Sequence, residues 1–138
     1  MPMAKTLIVE DSTFFRQLLK ETLLSRFPEM DISEAENVEE ALSKMMTFTP
    51  DLIFVDIRLP GESGLELTRK VKSTYPNIPI IILTSYDLPE YRGAAKEYQA
   101  DHFLSKGTTT KENILEMVKS SLTKRGFDLN GHNPGRLF

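Results

Sequence analysis

Four short apolar runs, each ending abruptly in polar groups, most constrain what this chain can fold into. Leu7-Ile8-Val9 stops at Glu10-Asp11, and Leu52-Ile53-Phe54-Val55 stops at Asp56. Ile80-Ile81-Ile82-Leu83 ends in Thr84-Ser85, and Phe103-Leu104 runs into Ser105-Lys106. Runs of this kind, with no polar alternation, suit strands buried on both faces of a parallel sheet. Strands running the same way place their last residues along one edge. Three carboxylates, a hydroxyl and an ammonium would then share one small site, at the edge where open α/β sheets hold their ligands.

The segments between the runs have helical periodicity. Ser12 is placed to cap a helix in which Phe15, Leu18, Leu19 and Leu23 share a face up to about Arg26, and Pro28 stops it. Met30 to Ala35 alternates weakly and predicts a short strand. Asn37 with Glu40 three residues on resembles a capping box, followed by an apolar stripe of Val38, Ala41, Leu42, Met45 and Met46. The loop from Ile57 to Gly64 is rich in turn formers, and Ser63 can cap a helix that turns Leu65, Leu67, Val71 and Tyr75 inward. Asp87 before Leu88-Pro89 predicts a helix start. That helix, ending near Gln99, carries the weakest apolar stripe and is expected to be the least stable. Gly107 and Thr108 lead into a last helix with Ile114, Leu115, Val118 and Leu122, stopped near Gly126. The β-α unit therefore repeats five times, which implies a doubly wound parallel sheet with helices on both faces.

At 138 residues the chain fits one domain with a real core, here expected over residues 4–125, with 126–138 as a tail or linker stub. A hydrophobic fraction of 40% and a charged fraction of 27% exclude a disordered or membrane protein. The net charge of -3, with basic residues scattered, argues against direct nucleic-acid binding. The absence of cysteine removes disulfides, thiol catalysis and thiolate metal sites. The start of the chain is too short in apolar residues for a signal peptide, and no run approaches membrane-spanning length. A cytoplasmic protein is expected. His102 and His132 are isolated, so no histidine metal site follows.

Together these residues resemble the receiver domain of bacterial two-component response regulators from about Ala4 to Lys124. The likeness rests on Glu10-Asp11 followed by Ser12, and on Asp56 with Leu59-Pro60-Gly61 and Gly64 behind it. Thr84 closing the third run and Phe103 three residues before Lys106 complete it. The resemblance implies a flavodoxin-like fold with strand order 2-1-3-4-5. It implies Asp56 as phosphoacceptor and Glu10, Asp11, Asp56 and the backbone carbonyl of Arg58 as ligands of Mg2+, with Mn2+ an alternative. Thr84 and Lys106 would contact the phosphoryl oxygens, and Thr84 with Phe103 would form the switch. Phe103 reads equally as plain core packing. The donor would be a histidine kinase or a histidine phosphotransfer protein. The output would pass from the helix at Pro89, the Phe103 strand and the last helix to a downstream protein or to an output domain that this sequence does not contain. The domain would work as a monomer or a phosphorylation-dependent homodimer, and would catalyse only its own phosphorylation and dephosphorylation.

The chemistry agrees with these roles. A carboxylate can attack phosphorus once repulsion from the donor is relieved. Magnesium prefers oxygen ligands and bridges to phosphoryl oxygens, while a lysine adds positive charge without competing as a metal ligand. Departures from the family pattern are also present. Gly107 replaces a common proline, as in regulators that carry LuxR-type DNA-binding domains; such a domain would need about sixty further residues. Gln99 stands where glycine often ends a helix, which predicts a less well formed cap. Arg58 and Tyr86 occupy positions that in this family tune dephosphorylation.

Three other readings compete. An aspartyl-phosphate phosphohydrolase of the haloacid-dehalogenase type wants an aspartate two residues after the nucleophile, where Arg58 stands. A nucleotide-binding module wants a glycine-rich loop after the first strand, where Glu10-Asp11-Ser12 would repel phosphate. A degenerate receiver serving as a scaffold would have lost part of the set, and none is missing.

Overall fold

The computed structural model describes residues 4–127, so the expected tail lies, from residue 128 on, outside the described residues. Strands and helices alternate as β1 (Lys5–Val9), α1 (Thr13–Arg26), β2 (Asp31–Ala35), α2 (Val38–Met45) and β3 (Leu52–Val55). They continue as α3 (Gly64–Thr74), β4 (Ile80–Thr84), α4 (Pro89–Glu97), β5 (His102–Ser105) and α5 (Lys111–Lys124). The strands form one parallel sheet in the order β2-β1-β3-β4-β5, the doubly wound flavodoxin-like arrangement.

Successive residues of a strand point to opposite faces, so each central run serves two cores at once. Leu7, Val9, Ile53, Val55, Ile80 and Ile82 pack with Val38, Ala41 and Met45 of α2, Leu67 and Val71 of α3, and Ala95 of α4. Ile8, Leu52, Phe54, Ile81 and Leu83 pack with Leu19 and Leu23 of α1 and with four residues of α5. None of these strand residues is more than 3% exposed, so both faces of β1, β3 and β4 are dry. Each such side chain contributes about 1.5–3 kcal/mol of burial. The chain turns opposite ways from β1 to its two neighbours, and the crevice of the topological switch opens between the ends of β1 and β3.

Several local expectations need correcting. The Phe103 run is an edge strand, only half-buried along its length, because β5 has a partner on one side alone. Met46 leaves the α2 stripe and is 85% exposed; one step past Met45 turns a side chain about 100° around the helix. Tyr75 is not inward: α3 ends at Thr74 and the chain turns out of the helix at Tyr75, which is 40% exposed. The helix start expected at Leu88-Pro89 is present, with Pro89 as the first residue of α4, but its cap is bare. Leu88 holds the cap position without a side-chain bond, and the Asp87 carboxylate accepts from the Arg92 guanidinium instead. The other helices are capped by side-chain oxygens of Ser12, Asn37, Ser63 and Thr110.

The end of α4 is better closed than its sequence suggests. The Ala100 amide donates to Ala95 O at 2.9 Å and the Gln99 amide to Lys96 O at 3.0 Å, the two bonds of a Schellman motif. The cost sits in the backbone of Gln99, whose φ of 68° is in the left-handed region. That region is unfavourable for a side-chain-bearing residue by about 1–2 kcal/mol, of which glycine's larger unfolded-state freedom returns a part. Gln99→Gly is therefore expected to stabilise the domain by about 1 kcal/mol. In urea unfolding this appears as a higher midpoint at unchanged slope; an unchanged or lower midpoint contradicts it.

Candidate functional site

The hydrogen-bond ladder of the sheet runs one residue past each strand, and this places the polar ends. The Glu10 amide donates to Ala35 O at 2.9 Å, the Asp56 amide to Val9 O at 3.0 Å, and the Lys106 amide to Thr84 O at 2.8 Å. Glu10, Asp56 and Lys106 are thus held by backbone geometry before their side chains make any contact. Glu10 is 3% and Asp56 7% exposed, whereas Asp11 is open to solvent.

Carboxylate oxygens of Glu10, Asp11 and Asp56 lie within 4.8 Å of one another. The Lys106 ammonium donates to Asp56 Oδ2 at 2.9 Å and also to Glu10 Oε1. Glu10 Oε2 accepts from the Ser12 amide at 3.0 Å, and the Glu10 carbonyl accepts from Arg16 Nη1 at 2.8 Å. Arg16 in turn binds Glu34 of β2 through Nε at 3.1 Å. Asp56 Oδ1 is buried with no hydrogen-bond partner. A buried carboxylate oxygen left bare is costly unless a cation or donor meets it. An all-oxygen set with one such atom fits a hard divalent cation.

Burial, above all, raises the Glu10 pKa, with the charge of Asp56 adding to it against the hydrogen bonds from Lys106 and Ser12. For Lys106 burial is the largest single influence and works downward, yet the two carboxylates together outweigh it and raise the pKa. The ammonium therefore stays charged between two acids that would otherwise repel.

Thr84 ends β4 fully buried, its hydroxyl accepting from the Tyr86 amide at 3.2 Å rather than bonding to Asp56. Phe103 is half-buried beside the α2-α3-α4 core, with the Arg92 guanidinium 4.6 Å from its ring centre. The structure thus joins Glu10, Asp11, Asp56 and Lys106 directly, and sets Thr84 and Phe103 on the neighbouring strands with no side-chain hydrogen bond to them. The Arg58 side chain points outward and stacks 4.1 Å from the centre of the Tyr86 ring. Tyr91 on α4, as its hydrogen-bond partner, raises the Arg58 pKa.

The family model of the response regulator receiver domain matches residues 6–119. The chain belongs to that family. The receiver is 38% identical over 117 residues to the sensory transduction protein LytT of Bacillus subtilis, covering 85% of this chain and 47% of that protein. It is 35% identical over 122 residues to the chemotaxis protein CheY of Halobacterium salinarum, covering 88% of this chain and 99% of that one. It thus spans about half of the first relative and nearly all of the second. Among solved structures, a CheY-like receiver domain protein from Methanospirillum hungatei superposes with a TM-score of 0.82 at 27% identity, over 90% of this chain and 97% of that one. The chemotaxis response regulator CheY4 of Vibrio cholerae gives 0.76 at 30% identity, over 87% and 99%.

One contributor to the receiver's site carries little sequence signal. Arg16 fixes the Glu10 backbone, but nothing in the chain marks its partner Glu34, eighteen positions on. Gly64 has a clearer reason for being glycine: a β-carbon there would sit 1.9 Å from the Asp56 carbonyl oxygen. Helix α3 starts hard against the strand end that bears Asp56, and its first amide donates to Ile57 O at 2.9 Å.

The raised Glu10 pKa has a definite sign for stability. A carboxyl whose folded pKa exceeds its unfolded one favours folding below the unfolded value of about 4.5, and that benefit is lost as pH rises through the folded pKa. At neutral pH the charged Glu10 therefore costs stability. In chelator-treated solution Glu10→Gln should melt higher than the parent at pH 7, with the gap closing toward pH 4. A lower midpoint for the variant at pH 7 would mean that its pairing with Lys106 outweighs burial.

Proposed function

We propose that this receiver takes a phosphoryl group on Asp56 from a phosphohistidine of a sensor kinase or phosphotransfer protein, and uses the modified state to engage a downstream partner. The observation that carries the proposal is the Asp56 carboxylate itself, held at the crevice with one oxygen on Lys106 and the other bare. In the transfer an Asp56 oxygen attacks phosphorus, the P–N bond to the imidazole breaks, and its electron pair returns to the ring nitrogen. Hydrolysis later attaches water to the same phosphorus and frees the carboxylate.

Glu10, Asp11, Asp56 and the backbone carbonyl of Arg58 are the groups that would hold Mg2+. Bound there, the ion supplies charge neutralisation for the acids and the incoming phosphoryl oxygens. The chain's own residues do the rest. Lys106 brings its charge to the phosphoryl group, and the ladder bonds hold Asp56 in line. Phosphorylation adds about -1.5 to -2 charges at one point. The Thr84 hydroxyl, released from the Tyr86 amide, turns to a phosphoryl oxygen, and Phe103 moves inward into the space left, altering the surface of α4, β5 and α5. The catalysis covers only the receiver's own phosphorylation and hydrolysis, so the domain acts as a switch. Arg58 in place of a second aspartate argues against a phosphohydrolase, which would lack its leaving-group acid.

Treatment with acetyl phosphate and Mg2+ followed by mass measurement tests the proposal. One base-labile phosphoryl group per chain is expected, absent in Asp56→Asn and strongly reduced by a chelator. A chain that stays unmodified with acetyl phosphate and with phosphorylated donor proteins overturns it.

A further inference from the structure

The Lys106 ammonium has a third neighbour that the roles above leave unused. Its Nζ lies 4.0 Å from the ring centre of Phe15, in the first turn of α1. An ammonium carries three donors, and the carboxylates of Glu10 and Asp56 engage two. We propose that Phe15 is a positioning residue for phosphoryl transfer, its ring face steering the Lys106 ammonium toward the phosphoryl oxygens; this rests on the function proposed above.

The ring is fixed by the same groups that it serves. Glu10 Oε2 holds the Ser12 amide, Ser12 Oγ accepts from the Phe15 amide at 3.2 Å, and the Phe15 ring faces the ammonium that returns to Glu10. The contacts close a loop from the end of β1 through the cap of α1 to the end of β5. The ring and the lysine stem also line a cleft of about 200 Å³ between α1 and α5, with Leu18, Leu83 and Ile114 as apolar walls. The Lys106 side chain is only 15% exposed, so water competes weakly for the ammonium.

The aromatic face suits the task for an electrostatic reason. Its quadrupole attracts a cation, and does so more strongly where water is excluded. A carboxylate in its place would repel the phosphoryl group or compete for the metal, and an aliphatic side chain would leave the ammonium free to lean on Glu10. When Asp56 becomes phosphorylated, the ammonium must exchange a carboxylate oxygen for a phosphoryl oxygen. The ring is available in both states, so the ammonium can pivot over one fixed surface while its other partners change.

The test compares phosphorylation by acetyl phosphate in Phe15→Leu, which keeps apolar volume, and in Phe15→Tyr, which keeps the ring. Phe15→Leu should lower the second-order rate about three- to tenfold, and Phe15→Tyr should restore it to within about twofold. In a Lys106→Met background the same leucine substitution should change the rate less than about 1.5-fold, because the ring then has no ammonium to position. Urea unfolding confirms that each variant folds. Proton NMR gives a readout free of phosphate: the Lys106 ε-methylene signals should be shifted upfield by the ring in the parent and return to ordinary positions in Phe15→Leu. Equal rates for parent and Phe15→Leu overturn the inference alone, as does an equal loss in the Lys106→Met background or an unshifted methylene in the parent. A parent that accepts no phosphoryl group at all overturns the proposed function and takes this inference with it.

Discussion

Two acids, Glu10 and Asp56, end adjacent strands whose last residues, Val9 and Val55, are register partners. Both are nearly excluded from water, where like charges repel most strongly. One ammonium, from Lys106, touches both. That lysine comes from the far side of the site, and its place depends on Thr84 pairing with Ser105 at the end of the β4-β5 ladder. A slip of one residue in β5 would send the ammonium to the other face of the sheet. The apolar runs therefore do more than fill the core. By fixing the register of four parallel strands they fix where three charges meet, and the bare oxygen of Asp56 follows from that meeting.

Much of this arrangement is legible in the chain. Runs such as Ile80 to Leu83 have no polar alternation, and a strand dry on both faces is the physical outcome of that pattern. The cap residues Ser12, Asn37 and Ser63 are legible because each oxygen meets an amide two or three positions on, a local matter. The acids at 10, 11 and 56 are legible because they interrupt the runs. What escapes is non-local or depends on small angles. Arg16 and Glu34 meet only after β2 docks on β1, and the contact of Phe15 with Lys106 joins residues from opposite ends of the chain. Met46 and Tyr75 miss the core because one residue past a helix end changes direction. The edge character of β5 is invisible in a run that looks like the others, since strand order decides it.

The helix α4 differs in kind from the rest. Ala95 is its one buried side chain, its N-terminus has no side-chain cap, and its C-terminus bears the strained Gln99. Its polar ties are arginine contacts near the surface, those of Arg92 with Asp87 and with the Phe103 ring. Exposed contacts of this kind hold an element far less firmly than a buried run does. An element so held can shift at small cost, as the proposed readout of a single phosphoryl group requires. The site, by contrast, is clamped by ladder bonds on three strands. A rigid site beside a weakly tied helix is the physical division of labour that the proposal needs.

The central claim is that the carboxyl edge of the sheet forms a metal-dependent phosphoryl site on Asp56. Fluorine NMR of beryllofluoride, a phosphoryl mimic, addresses it most directly. With Mg2+ the account predicts bound fluorine resonances at one equivalent per chain, lost in Asp56→Asn and lost when the metal is chelated. No bound resonance with the metal present, or the same resonance in Asp56→Asn, would contradict it.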